Sequence, residues 1–286
     1  MPEFAYLSVV IPTFGKNGVV LTQKCVETLR QQHGHLGNES IEVIVVEDSQ
    51  DEDVLFALYE KVGKPFACRI FNQPNGGFAK ACNNGLRKAN GMVCFLINND
   101  IEFIEPSLQL LADAMSATGS WLIGCRLLYP NGTIQHGGIV WVPAKDAPVP
   151  GYFDHVARNA PALHPAAYAM RVSLITGAFY GIARAAIEVV GYLDERYGMA
   201  VEDVDYALSV IEAGGKPLFC GYTAAIHKEG ATRGRTLEEK QALAPDKWEI
   251  EQQALQLFYQ KWWGVNWTIF DMNHNLGNEI DMARRA

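Results

Sequence analysis

The stretch Cys94-Phe-Leu-Ile-Asn-Asn-Asp100 constrains this chain more than any other. Four apolar residues make a short buried strand, and the run ends abruptly in two amides and a carboxylate. Buried strands seldom end in three small polar residues unless the tip faces something polar. In open α/β sheets, ligands bind outside the carboxyl ends of the strands. Asp100 then stands at the mouth of such a crevice, offering the hard oxygen that Mg²⁺ or Mn²⁺ prefers. Taken alone, the tripeptide reads equally well as a turn after a strand. The rest of the chain decides between the two.

Upstream, the same unit repeats. Tyr6 to Ile11 is near-continuously apolar and rich in β-branched residues, as in a parallel strand covered on both faces. It ends at Pro12-Thr-Phe-Gly15. A helix is predicted from Val19 to Gln32, a second strand from Ile41 to Val46 ending in Glu47-Asp48-Ser49, and a helix from Asp53 to Val62. A third strand spans Ala67 to Phe71. After the turn Asn75-Gly-Gly77 comes a helix from Phe78 to Ala89, then the fourth strand from Met92 to Ile97. Strands alternating with helices make a βαβ series with a parallel sheet. Thr13, Asp48 and Asn98 to Asp100 all fall at strand carboxyl ends, the convergence a nucleotide crevice requires.

The glycines exclude two common nucleotide folds. No G-x-x-x-x-G-K-[ST] is present, and no G-x-G-x-x-G follows the first strand. Asn75-Gly-Gly77 is plainly read as a turn before a helix. The chain has 286 residues and a formal charge of −8, which argues against a nucleic-acid partner and against whole-protein attraction to an anionic membrane. Its six cysteines lack C-x-x-C spacing and lie mostly among apolar residues, so they read as reduced core cysteines of a cytosolic protein. Neither a secretory signal nor a membrane-spanning run is read in the sequence, and the sequons at Asn38, Asn131 and Asn266 are treated as chance.

After Asp100 the pattern changes. A helix from Pro106 to Ala117 and a strand from Trp121 to Leu128 are expected, followed by a turn at Tyr129-Pro-Asn-Gly132 and a strand from Thr133 to Val142. Residues 143–168 hold five of the thirteen prolines and are expected to form a surface loop or lid. Val172 to Ala183 is apolar but broken at Thr176-Gly177. A loop from Gly191 to Gly198 leads into a helix from Ala200 to Ala213, then a short strand from Pro217 to Cys220. His227 is placed in a polar loop with Arg233 and Arg235. From Pro245 onward Trp248, Ala254, Leu255, Phe258, Tyr259 and Trp262 give a helix an aromatic stripe, which is more often core or a docking face than a ligand box.

Glu202, Asp203 and Asp205 fall at a helix start, where the macrodipole alone favours acids. A carboxylate held there could also be the general base that deprotonates an acceptor hydroxyl. Its partner would be a metal-held diphosphate leaving group, its charge neutralised by the cation and by nearby Arg or Lys. His227 could be a second metal ligand through one ring nitrogen, or simply a polar surface residue.

Taken in order, these segments resemble a family 2 glycosyltransferase of the GT-A fold, over roughly residues 6 to 235. The resemblance rests on Ser8-Val-Val-Ile-Pro-Thr-Phe14, Val45-Val-Glu-Asp-Ser49, Asn75-Gly-Gly-Phe-Ala-Lys-Ala-Cys-Asn-Asn-Gly85, Leu96-Ile-Asn-Asn-Asp100, Thr176-Gly-Ala-Phe179, Glu202-Asp-Val-Asp205 and His227. It implies an α/β fold with one Rossmann-like, mainly parallel sheet flanked by helices. It implies a domain over 1–240, divided into a nucleotide-binding half (1–100) and an acceptor and catalytic half (101–240), with a helical extension over 241–286. Donor-binding residues would be Pro12, Thr13, Asp48, Asn75, Lys80, Asn98, Asn99, Asp100 and Arg233, with Asp48 accepting from the base. Asp100 and His227 would hold Mg²⁺ or Mn²⁺, and Asp203 would be the base of an inverting transfer. Asn99 stands where many members carry another acid, and Glu47 and Ser49 depart from the commoner Asp-Asp-Gly-Ser.

Gly124 to Gly138 and His227 to Gly234 resemble the branch that builds bacterial surface polysaccharides, including rhamnosyltransferase-like members. The implied partners are a nucleoside-diphosphate sugar donor and a glycan or lipid-linked saccharide acceptor. The implied place is the cytoplasm, with peripheral membrane contact through Trp262, Trp263, Arg284 and Arg285. Two rival readings are a nucleotidyltransferase that makes nucleotide sugars and a sugar-nucleotide binder without activity. The first wants a Gly-rich loop with Arg and Lys after strand one, where Pro12-Thr-Phe-Gly-Lys16 offers one Gly and one Lys. The second is disfavoured by the presence of Asp100, Asp203 and His227 together.

Overall fold

The computed structural model describes residues 6–37, 40–62, 67–143, 151–197, 200–228, 245–262 and 264–265. Arg233, Arg235, Trp263, Arg284 and Arg285, the sequons at Asn38 and Asn266, and the side chain of Trp248 lie outside the described residues. The first half follows the expected alternation: β1 (Leu7–Thr13), α1 (Gly15–His33), β2 (Ile41–Glu47), α2 (Glu52–Val62), β3 (Ala67–Asn72), α3 (Phe78–Lys88) and β4 (Val93–Ile97). Every residue of β1, β2 and β4 is buried, as the unbroken apolar runs require of strands covered on both faces.

The second half is more broken up: β5 (Ile101–Phe103), α4 (Leu108–Thr118), β6 (Leu122–Leu128), β7 (Ile134–His136), β8 (Ile139–Pro143), β9 (Gly151–His155), β10 (Met170–Val172), β11 (Phe179–Ala183), α5 (Arg184–Val190), α6 (Glu202–Glu212), β12 (Pro217–His227) and α7 (Pro245–Lys261). Among the described residues the main sheet has ten strands, in the order β10-β12-β6-β11-β4-β1-β2-β3, with β5 on β12 and β7 on β6. β3, β2, β1, β4, β6 and β12 run the same way. β11 lies antiparallel between β4 and β6. Helices α1, α2 and α4 bury their apolar faces on one side of this sheet, around Val9, Val43 and Phe95. On the other side, α3, α5, α6 and α7 close over Val10, Leu96 and Tyr180. Ala254, Phe258 and Trp262 of the aromatic stripe are core residues of that second layer. No helix among the described residues is long and apolar enough to cross a membrane.

Three expectations are corrected. The run Thr133 to Val142 is two strands, broken at Gly137-Gly138, where Gly138 takes φ +99°. Residues 143–168 are not wholly loop: β9 returns antiparallel on β8 as a separate two-stranded sheet, with Phe153 packed edge-on against Trp141 at 5.2 Å. The strand after α6 does not stop at Cys220. It continues through a bulge to His227, which is therefore a buried strand end, not part of a polar loop.

His33 shows how one buried polar group fixes an element. Its ring donates Nδ1–H to the Leu29 carbonyl (3.1 Å), and Nε2 accepts from the Ser107 and Leu108 amides (3.0 and 3.1 Å) at the start of α4. Two orphan helix donors are thus satisfied by an imidazole. Burial pulls the His33 pKa down to about 4, because a charged ring would be stranded in the core. A histidine depressed in the folded state stabilises fully above its unfolded value near 6.5 and loses that contribution as pH falls toward 4. Urea unfolding is expected to show about 2 kcal/mol less stability from this residue at pH 5 than at pH 7. His33→Gln should flatten the pH slope by that amount, and an unchanged slope would refute the assignment.

Candidate active site

The crevice begins where two strands part. β1 pairs with β2 along its whole length, from Leu7–Ile41 to Thr13–Glu47, but with β4 only as far as Val10–Leu96. Pro12, which has no N–H to give, falls past the last β1–β4 pair. The strand order also reverses here, so this is the topological switch point at which such sheets bind ligands. The gap is spanned by Asn99, whose Nδ2 donates to Thr13 Oγ1 (3.0 Å). Thr22 of α1 donates to the same oxygen (2.9 Å). Thr13 and Asn99 are thereby joined across the parted tips of β1 and β4, with Pro12 before the one and Asn98 and Asp100 beside the other.

The acids after β2 have local duties. Glu47, fully buried, accepts from the amides of Gly15 (3.0 Å) and Ser49 (2.9 Å), which shapes the turn into α1. Asp48 lies beside Thr13, its amide bonded to the Thr13 carbonyl at 3.0 Å. Its carboxylate accepts from Gln73 Nε2 and from the amides of Gly76 and Gly77, both at 3.0 Å. Burial pushes the Asp48 carboxyl up, against the pull of those three donors. Asp48 thus first builds the Asn75-Gly-Gly77 turn, with Gln73 as a partner the sequence did not reveal. Asn75 and Lys80 stand exposed on that turn and on the first turn of α3.

At the tip of β4, Asp100 Oδ1 lies 3.1 Å from His227 Nε2, although 127 positions separate them in sequence. β5 and β12 cause this meeting, because Ile101 pairs with His227 in their antiparallel register. The other ring nitrogen, Nδ1, donates to Gln135 Oε1 at 2.9 Å. That bond selects the tautomer whose Nε2 lone pair faces Asp100. Asn98 Nδ2 lies 3.5 Å from the same nitrogen, and Asn98 Oδ1 is buried without a hydrogen-bond partner among the described residues. A carboxylate, an oriented imidazole and an orphan oxygen form a donor set suited to one divalent cation shared with an outside ligand. No group of three or more His, Cys, Asp or Glu gathers to hold a metal unaided among the described residues. Gln135 went unseen in the sequence because nothing local ties it to His227.

The third component comes from α6. The loop Thr176-Gly177-Ala178 touches both sides: its Ala178 carbonyl accepts from the Asn98 amide (3.0 Å), and its Gly177 amide donates to Asp203 Oδ2 (2.6 Å). A Cβ on Gly177 would lie 3.1 Å from the Asp203 Cβ, so only glycine allows this approach without a shift. Asp203 Oδ1 accepts from the Val204 amide (2.8 Å). Ala200 and Val201 enter α6 with φ of +117° and +55°, strained values that persist only where the surroundings impose them. The neighbouring acids are engaged in structure. Glu202 turns back to the Ala200 amide (2.7 Å). Asp205, buried, accepts from Tyr197 Oη, Trp262 Nε1 and Lys261 Nζ, each at 2.8 Å. Of the three carboxylates only Asp203 is partly exposed. Arg233 lies outside the described residues.

Comparison with known proteins finds likenesses of sequence and of fold. The family model described as glycosyl transferase family 2 matches residues 8–146. The O-antigen biosynthesis protein RfbC of Myxococcus xanthus is 26% identical over 245 residues, covering 79% of this chain but only 18% of that protein. The chain thus spans less than a fifth of that relative's length. Among solved structures, GalNAc-T7 with UDP, GalNAc and Mn²⁺ superposes with a TM-score of 0.65 at 16% identity, over 94% of this chain and 50% of that one. The mannosyltransferase PcManGT from Pyrobaculum calidifontis, in complex with GDP-Man and Mn²⁺, gives 0.58 at 13% identity, over 91% and 75%. The fold is therefore that of the GT-A glycosyltransferases.

Gln135 offers a direct check on the donor set. Gln135→Ala frees the His227 ring to rotate and to change tautomer, so Mn²⁺ affinity measured with a nucleoside diphosphate present should fall about tenfold or more. The folded protein's melting temperature should change little. Unaltered Mn²⁺ affinity would show that Gln135 does not orient a ligand.

Proposed function

We propose that this chain, a family 2 glycosyltransferase, moves a sugar from a nucleoside-diphosphate sugar to a hydroxyl of a glycan or lipid-linked saccharide, with inversion at the sugar carbon. One observation carries the reading. The 176–178 loop bonds the β4 tip beside Asp100 and His227 on one side and Asp203 on the other. A group that holds a leaving diphosphate and a group that takes a proton are thus fixed to one short segment.

In this reading Asp203 takes the proton of the acceptor hydroxyl as that oxygen attacks the sugar carbon. The carbon–oxygen bond to the diphosphate breaks, and its electron pair leaves on the phosphate oxygen. The Gly177 and Val204 amides hold the Asp203 carboxylate in one orientation, which keeps it aimed at the acceptor. Asp100 and His227 would hold the Mg²⁺ or Mn²⁺, which when bound neutralises charge developing on the diphosphate. Pro12, Thr13, Asn98 and Asn99 line the crevice for the nucleotide, and Asp48 orders the Asn75 to Gly77 turn and Lys80 beside it. Arg233 is assigned to the diphosphate by its charge and sequence position. The likeness to an O-antigen biosynthesis protein supports a role in bacterial surface polysaccharide synthesis.

Thermal stabilisation by a panel of nucleotide sugars, each with and without Mn²⁺, tests this and identifies the donor. The native protein should show a Mn²⁺-dependent rise with one donor, and Asp100→Ala should abolish it. Asp203→Asn should keep the rise and lose about 10²- to 10⁴-fold in transfer rate. Transfer at the native rate in Asp203→Asn would sink the assignment of the base.

A further inference from the structure

Among the described residues of the second half, Arg126 is the buried arginine or lysine that the proposed reaction does not use. It is 7% exposed, and neither Nε nor Nη1 has a hydrogen-bond partner among the described residues. A guanidinium stays charged at any physiological pH, and burying it without a partner is costly. Glu105, an acid of the same region, directs one oxygen to the bulge of β12, where it accepts from Thr223 Oγ1 (2.7 Å) and from the Ala224 amide. The Tyr168 ring covers the Arg126 guanidinium, with the central carbon 5.1 Å from the ring centroid. Tyr222 meets Tyr168 edge-on at 5.4 Å, and the two rings are 52% and 47% exposed respectively.

The backbone is shaped around this spot. β6 runs directly from Cys125 to Arg126, while β12 inserts Gly221, Tyr222 and Thr223 between Cys220 and Ala224. Bulges of this kind commonly re-aim a side chain beside a functional site. Ala224, the register partner of Arg126, lies three residues from His227, about 10 Å along the strand. Leu122, on the same face of β6 as Arg126, belongs to the cluster that holds Val204 and Ala207 of α6. The spot therefore lies on the face of the sheet that α6 covers.

We propose that Arg126, Tyr168 and Tyr222 form an acceptor subsite for a saccharide that carries an anionic group, a carboxylate or a phosphate. The guanidinium fork suits either anion, and the half-exposed tyrosine rings offer flat apolar faces to a sugar ring. The chain carries a net charge of −8, so general attraction of anions is opposed and any preference must come from this fixed cation. The placement on the acceptor side rests on the proposed transfer reaction, but the binding itself does not.

The test is a ligand-observed NMR titration of the full chain with three probes: a uronate-containing disaccharide, a disaccharide 1-phosphate and the neutral disaccharide. At least one acidic probe should bind about tenfold tighter than the neutral one, and which one does so identifies the anion. Arg126→Met should remove the preference, and Tyr222→Ala should weaken all three probes. Arg126→Met should also keep or raise the melting temperature, since it replaces a buried guanidinium of which Nε and Nη1 lack hydrogen-bond partners among the described residues. Equal binding of acidic and neutral probes, no binding of any, or a lowered melting temperature in Arg126→Met would each overturn the proposal. The Mn²⁺-dependent donor shift, measured on the same samples, separates the two ideas. Its loss with the acidic preference kept would count against the transfer reaction alone.

Discussion

The parting of β1 from β4 beyond Val10 is the constraint from which the site follows. Two parallel strands that stay paired to their ends leave no room between their carboxyl tips. Here the pairing stops early, and the freed tips must satisfy their polar groups some other way. Thr13 and Asn99 reach across to each other, and Thr22 of α1 joins them. Asn98 turns its amide to the 176–178 loop, and Glu47 holds the amides of the next turn. Each bond that repairs the split also fixes a residue on the rim of the crevice. The crevice is in this sense a by-product of satisfying a sheet that has been opened.

The same logic sorts the carboxylates. Burial penalises an ionised carboxylate unless donors surround it, so each buried acid is read by its donors. Glu42, Glu47 and Asp205 are buried and engaged by protein groups. Asp48 sits between, with three donors and a carboxyl raised by burial, and builds the turn that carries Asn75. Asp100 and Asp203 are the acids whose surroundings face the crevice as well as the core. Glu202, Asp203 and Asp205 are chemically alike and adjacent in sequence, yet the fold gives them three different tasks.

The first hundred residues were legible in the sequence because parallel strands buried on both faces are written as unbroken apolar runs, with polar residues only at their ends. Val9 to Ile11, Val43 to Val46 and Cys94 to Ile97 each fit that rule. α1 starts at Gly15, four residues before the apolar pattern, since Glu47 holds the Gly15 amide from another strand. The second half was harder to read for physical reasons. β5 and β7 have three residues each, too few for a period to show. β12 is interrupted by its bulge, so its apolar pattern loses phase at Gly221 and the strand appears to end there. His227 was recognised as a ligand candidate, but its burial came only from the strand that carries it. Gln135 and Arg126 had no signal at all. One bonds a ring nitrogen 92 positions away, the other keeps two nitrogens without hydrogen-bond partners among the described residues, and neither property is local.

The three-donor network around Asp205 adds a last step. Tyr197 lies before α6, while Lys261 and Trp262 lie at the end of α7, far beyond the family-matched segment at 8–146. All three close on a carboxylate two residues from Asp203. The start of α6 also carries the strained Ala200 and Val201, so this turn is held in place by what surrounds it and not by its own preference. The C-terminal helix therefore acts on the proposed base through Asp205, by pinning the helix that presents it. A segment with no reactive group of its own can set the aim of the one that has.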